Sequence, residues 1–178
     1  MSIDYDFSQL GKYTTLLWGY SWIHVDTYLI NNFENDRYDH NALFKAFIHH
    51  DIYKRTYWAT KAYDKTTSNH GPFKISKIKP KNYIHITRDQ FNNRINDIFY
   101  SEFGFSEDDD LYHVTLQKEA RLIINSILDV NFAYYELDID LENKKYRHDD
   151  WVVHHLFHEF ILVDTQSSRL ILFIIGGD

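Results

Sequence analysis

The fold class is decided by the C-terminal stretch, which reads WVVHHLFHEFILVD from Trp151 to Asp164, TQSS over 165–168, and RLILFII from Arg169 to Ile175. Two apolar runs separated by four polar residues predict a β-hairpin. Every residue from Leu170 to Ile175 is apolar. A strand that is apolar on both faces is typical of the interior of a sheet, so we expect this last strand to be central.

A further strand is predicted upstream, because the apolar period changes from 3.6 to 2 after Asn131. Apolar residues from Tyr135 to Leu141 alternate there with acidic ones. Alternate side chains of a strand point the same way, so we expect a row of four carboxylates spaced about 6.7 Å apart. The row consists of Glu136, Asp138, Asp140 and Glu142.

The N-terminal half is predicted to be helical. Apolar residues recur at spacings of four and three over 8–32, with Ser8 as a suitable N-cap. Gly11 and Gly19 are unfavourable inside such a helix. A second helix is predicted from about Asn41, with its apolar positions continuing to Ala62.

Two more helices and a short hairpin complete the expected fold. The pair Thr87 and Gln90 predicts a capped helix over 88–101, and a second apolar stripe predicts a helix over 117–129. Phe73–Lys79 and Tyr83–Ile86, separated by Pro80, predict an edge hairpin. The expected architecture is α+β, with N-terminal helices packed on a C-terminal antiparallel β-sheet.

Length and composition restrict the class of protein. The chain has 178 residues, 44% of them hydrophobic, and contains no Cys. We expect a single domain over 1–178, without disulfides or thiolate metal sites. The start, Met1 to Asp6, is acidic rather than basic, and no apolar run reaches the length of a membrane span. The expected location is the cytoplasm, without membrane contact.

The net charge of −7 conceals a strong asymmetry. Residues 54–88 carry nine basic groups against Asp64, and residues 97–178 carry 17 acidic groups against six basic ones. Charge separation of this size steers oppositely charged partners and speeds their association. We expect a docking module whose partner presents both a basic and an acidic surface.

The acidic residues are the candidate partner-binding site. The alternative is a solvated strand face that is neutralised by nearby lysines and arginines. A straight row of carboxylates diverges, whereas a hard cation needs converging oxygens, so a metal ion is not expected there. The candidate residues are Glu136, Asp138, Asp140, Glu142, Asp108, Asp109, Asp110, Asp149 and Asp150.

A histidine-rich group supports a second hypothesis, a metal-dependent hydrolase. It comprises His148, His154, His155, His158 and Glu159. In a helix, His154 and His158 would have the i, i+4 spacing of zinc sites. The surrounding residues favour a strand, in which these side chains lie about 13 Å apart. We therefore expect no metal, no cofactor and no catalytic residues. His49, His50 and Asp51 are unsuitable as an acid–base pair, because adjacent helix residues point about 100° apart.

The basic segment 54–88 supports a third hypothesis, an RNA- or DNA-binding accessory protein. Its lysines alternate with aromatic residues, as on surfaces that combine base stacking with phosphate contacts. The alternatives are lysines that protect an edge strand from aggregation and a protein-docking surface. The acidic net charge argues against direct nucleic-acid binding.

The acidic strand Tyr134–Glu142 and the closing hairpin from Phe157 to Asp178 resemble immunity proteins of bacterial contact-dependent growth inhibition and related polymorphic toxin systems. The resemblance implies a non-enzymatic antitoxin that binds a toxin domain and blocks its active site or substrate path. Nuclease toxins are basic because they bind phosphates, so a basic nuclease domain is the expected partner. The oligomeric state stays open.

Overall fold

A six-stranded antiparallel sheet organises the chain in a computed structural model that describes residues 5–17, 21–33, 38–55, 68–102, 111–128, 132–148 and 156–177. The strand order is β1-β2-β8-β7-β6-β5. A two-stranded ribbon, β3 with β4, lies outside this sheet. The strands are β1 (Asp6–Leu16), β2 (Trp22–Asn31), β3 (Asn69–His70), β4 (Phe73–Lys74), β5 (Tyr83–Ile86), β6 (Ala133–Leu137), β7 (Leu156–Asp164) and β8 (Arg169–Gly177), and the helices are α1 (His40–His49), α2 (Arg88–Asp97) and α3 (Leu111–Leu128).

The predicted C-terminal hairpin is confirmed. β7 pairs with β8 up to the closing pair Asp164 and Arg169. The Asp164 carboxylate accepts hydrogen bonds from the backbone of Gln166 and Ser167 at 2.9 and 3.2 Å, which stabilises the turn. β8 lies between β2 and β7 and is buried from Leu170 onward, so the expectation of a central last strand is also confirmed.

The predicted N-terminal helix over 8–32 is wrong, because the sheet begins at the N-terminus with the β1–β2 hairpin. On β2, alternate residues from Trp22 to Ile30 face the same side of the sheet and are buried. Two of them, His24 and Asp26, are polar and interrupt the period-2 apolar pattern that marks a strand. The mixed α+β class is correct, but the helices are not segregated N-terminal to the sheet.

One face of the sheet, here called the α1 face, is covered by α1 and by the chain that follows it. Asp39 caps α1 by accepting a hydrogen bond from the Asn41 backbone at 2.9 Å. The helix starts where predicted and ends at His49; Ala62 lies outside the described residues. Apolar side chains buried on this face include Tyr28, Leu43, Phe44, Phe47, Ile48, Ile161 and Leu172.

The opposite face, the α2/α3 face, is covered by the two later helices. The predicted capping box is present, with Thr87 and Gln90 bonding each other's backbone at 3.1 and 2.8 Å. α2 continues into a π turn that ends at Glu102, and α3 begins before the predicted residue 117. Side chains buried on this face include Phe91, Ile95, Ala120, Ile124, Phe160, Leu162 and Phe173.

The predicted hairpin between Phe73 and Ile86 is wrong. β4 pairs with β3, whereas β5 pairs with β6. Pro80 begins a short 3-10 turn, Pro80–Asn82, that carries the chain between them. β5 is an edge strand as expected.

None of the described helices combines the length with the apolar character that crossing a bilayer requires.

Candidate functional site

The predicted row of four carboxylates is only partly a strand feature. β6 ends at Leu137, so Glu136 is the one acidic residue on the strand. Beyond it, Asp140 forms a turn: its carboxylate accepts the Glu142 backbone N–H at 2.9 Å. Aspartate favours such turns because its side chain replaces a backbone acceptor. The prediction of an evenly spaced row of carboxylates is therefore wrong. Ile139 still packs against the core of the α1 face, as expected.

Three of these carboxylates nevertheless line one cavity, which we call the acidic groove. The groove has a volume of about 490 Å³ and lies where β5, β6 and β7 meet the end of the α2 segment. Its wall also contains Glu102, which the sequence did not single out. The lining residues are Ile84, Arg94, Glu102, Glu136, Leu137, Asp138, Ile139, Asp140, Leu141, Leu156, Phe157 and His158.

Two of the carboxylates in the groove are already paired. Glu136 accepts a hydrogen bond from Arg94 Nε at 2.9 Å, and this contact raises the pKa of Arg94. Glu102 lies 2.6 Å from His158 Nε2, and that hydrogen bond lowers the pKa of Glu102. Both carboxylates therefore already have a side-chain partner in the groove wall.

The other two carboxylates, those of Asp138 and Asp140, are exposed and form no ion pair within the described part of the chain. They flank the partly buried apolar side chains of Ile139 and Leu141. Glu142 does not line the groove; its carboxylate lies 3.6 Å from Arg147. The arrangement is chemically suited to receive a cationic side chain whose aliphatic part packs on the apolar wall.

The remaining acidic candidates lie outside the described residues. They are Asp108, Asp109, Asp110, Asp149 and Asp150.

The histidine group of the hydrolase hypothesis is dispersed. His148 lines a second cavity, described below, whereas His158 lines the acidic groove. Glu159 follows His158 on β7 and is buried on the opposite face of the sheet. His154 and His155 lie outside the described residues. In the described ranges, no group of three or more His, Cys, Asp or Glu side chains could hold a metal ion.

The other paired histidines also point to different partners. His49 Nδ1 donates to the Lys45 carbonyl at 2.7 Å, and His50 Nε2 lies 3.1 Å from an Asp6 carboxylate oxygen. They do not converge on one substrate position, as expected.

Two buried polar clusters on the α1 face were missed in the sequence. The Asp26 cluster consists of His24, Asp26, Tyr28 and Arg55. Arg55 forms an ion pair with Asp26, and the Tyr28 hydroxyl donates to the same carboxylate at 3.1 Å. Burial opposes ionisation of Asp26, but hydrogen bonding to His24 and the charges of His24 and Arg55 hold its pKa below the ordinary value.

The Glu159 cluster consists of Tyr53, His70, Tyr83 and Glu159. Glu159 is only 1% exposed, and both tyrosine hydroxyls donate to its Oε1, at 3.1 and 2.5 Å. His70 Nε2 lies 2.6 Å from Oε2, while His70 Nδ1 lies 2.5 Å from the Tyr53 carbonyl. Both ring nitrogens of His70 therefore lie within hydrogen-bond distance of an oxygen atom. The sequence signal was an acidic residue, Glu159, inside a strand of mostly apolar residues.

No family model, curated protein or solved structure matches this chain. The site is therefore interpreted from its own geometry and charge.

Proposed function

We propose that the protein is a toxin-neutralising immunity protein that captures a basic toxin domain, of the nuclease class, through the acidic groove. The observation that carries the proposal is the pair of exposed carboxylates of Asp138 and Asp140, which form no ion pair in the described ranges. Two negative charges beside partly buried apolar side chains suit an Arg or Lys anchor of a protein partner, because such an anchor combines charge with an aliphatic stem.

Inhibition in this proposal is steric. A standard protein interface buries about 1,600 Å², so an interface centred on the acidic groove would extend over the surface around it. The surface around the groove would therefore cover the phosphate-binding face of the toxin when the anchor is seated. The acidic C-terminal half of the chain speeds capture, since opposite charges raise the association rate.

We expect a gene next to this one to encode a secreted protein, and the test uses the C-terminal domain of that protein as the candidate toxin. We expect Asp138→Lys with Asp140→Lys to slow association with that domain by about tenfold or more at low salt, because steering by the groove is reversed. The measurement is a stopped-flow association rate at low and high salt, together with survival of cells that express both proteins.

A matched control reverses two exposed acidic residues outside the groove, Asp89→Lys and Glu119→Lys. This control makes the same change in net charge, so its association rate should fall much less. Equal rates for the two double variants would exclude the groove as the interface. Failure of the wild-type protein to bind the domain or to protect cells from it would overturn the immunity function itself.

A further inference from the structure

A second cavity, which we call the basic pocket, is lined in part by His148, whereas Asp138 at the other end of the 138–148 segment lines the acidic groove. The basic pocket has a volume of about 650 Å³. It is built from the end of α1, the chain around β3 and β4, and the end of the 138–148 segment. The lining residues are His49, Lys54, Ser68, Asn69, Lys74, Ile75, Ser76 and His148.

Both charged side chains that line the basic pocket among the described residues are cationic, Lys54 and Lys74. The Asp51 carboxylate lies outside the lining but only 2.6 Å from the Lys54 ammonium group, so it offsets part of that charge. The Asp51 side chain is 83% exposed, and water screens its interaction with Lys54. Both lysines are half-buried, so their charges are less screened than those of fully exposed side chains.

The other polar side chains of the basic pocket supply hydrogen-bond donors. Ser68 and Ser76 provide hydroxyl groups, and Asn69 provides an amide. Together with two ammonium groups, these donors suit a ligand with several acceptor oxygens and a double negative charge. A phosphate monoester has both properties.

The walls of the basic pocket are fixed by backbone hydrogen bonds between distant segments. Ile75 N–H donates to the Ser68 carbonyl at 3.1 Å, and Lys74 N–H donates to the Tyr146 carbonyl at 2.8 Å. His148 N–H donates to the Pro72 carbonyl at 3.1 Å. Because three segments are joined in this way, the donors are held in place before a ligand arrives, which reduces the entropic cost of binding.

The dimensions favour a small molecule over a nucleic-acid strand. Pockets for small ligands have volumes of about 300–1,000 Å³, a range that includes this one. In the described residues 54–55 and 68–88, the basic segment does not extend the pocket as a stripe of charge, because Arg55 forms an ion pair with the buried Asp26 and Lys79 and Lys81 are not among the lining residues. We propose that the basic pocket binds a phosphorylated small molecule, a phosphate ester of a polar sugar.

The test is a calorimetric titration of the full chain with inorganic phosphate and with ribose 5-phosphate. We expect saturable binding of both, tighter for ribose 5-phosphate because the sugar hydroxyls reach the serine and amide groups. The variant Lys54→Gln with Lys74→Gln should weaken binding by about tenfold or more, since it removes two charge-assisted hydrogen bonds. Ribose without the phosphate should not bind.

The matched control is Lys79→Gln with Lys81→Gln, which removes two exposed charges outside the basic pocket and should leave the affinity unchanged. Glutarate, a dicarboxylate of the same charge, serves as the competing anion. The proposal is overturned if no titration saturates, if both double variants lose affinity equally, or if glutarate binds as tightly as phosphate. An unchanged circular dichroism spectrum and unfolding midpoint of each variant ensure that a lost affinity reports on the pocket.

Discussion

The two faces of the sheet are built on different principles. The α2/α3 face is closed by aromatic and aliphatic side chains, such as Phe91 and Phe160, whose rings lie 5.0 Å apart. The α1 face has an apolar core of similar composition, but it also encloses the Asp26 and Glu159 clusters. One face is therefore specified by hydrophobic pattern, whereas the other also depends on matching individual charges.

The charges on the α1 face tie one segment to two strands. Arg55 and His70 lie side by side, since the Arg55 backbone bonds to Asn69 and Gly71. Arg55 pairs with Asp26 on β2, and His70 pairs with Glu159 on β7. A buried ion pair contributes little net stability, but removing one partner is costly because the other charge stays buried. The two pairs thus determine where this segment packs on the sheet, and they contribute less to the net stability of the fold.

The largest effect is expected from breaking the Asp26 cluster on one side. Arg55→Met should lower the free energy of unfolding by about 3–5 kcal/mol, because the Asp26 carboxylate is left buried without its arginine. Urea unfolding at neutral pH measures this loss. The double variant Asp26→Leu with Arg55→Met removes both charges and should be more stable than Arg55→Met. A double variant less stable than the single one would show that the pair itself supplies the stability.

A somewhat smaller effect is expected on the other face. Leu162 is fully buried against α2 and α3, and Leu162→Ala should cost about 3 kcal/mol through lost apolar burial and the remaining cavity. No charge is exposed by this change, so the loss measured by urea unfolding should be the same at acidic and neutral pH. A loss that varies with pH would indicate that the two faces are coupled.

This contrast also explains which parts of the fold could be predicted. α2 follows from its capping box and apolar stripe, and the C-terminal hairpin follows from two apolar runs around a polar turn. β2 could not be recognised, because His24 and Asp26 occupy buried positions. An analysis that places apolar residues inside and polar residues outside assigns both of them to the surface. Their partner Arg55 is distant in sequence, so the compensation is visible only in three dimensions.

The acidic groove was predictable in composition but not in shape. Alternation through Leu137 indicated a strand with Glu136 on it, but Asp138 and Asp140, which were expected on the same strand, lie beyond its end. The turn at Asp140 contains a side-chain-to-backbone hydrogen bond that periodicity does not report. Glu102 and Arg94 join the groove only because the α2 segment packs beside β6 and β7.

The smallest effect concerns pH and separates the two faces directly. The pKa of Asp26 lies below its ordinary value of 3.8, so the folded state favours the ionised carboxylate more than the unfolded state does. The resulting stability is complete above the ordinary pKa and is lost as pH falls through the folded-state pKa. Asp26→Asn lacks this contribution, so its stability deficit relative to the wild type should shrink as the pH falls through the folded-state pKa of Asp26. Urea unfolding over a series of acidic buffers measures the deficit, with Leu162→Ala as the variant whose deficit stays constant. If the stability deficit of Asp26→Asn is as independent of pH as that of Leu162→Ala, the Asp26 charge has no role in the stability of the α1 face.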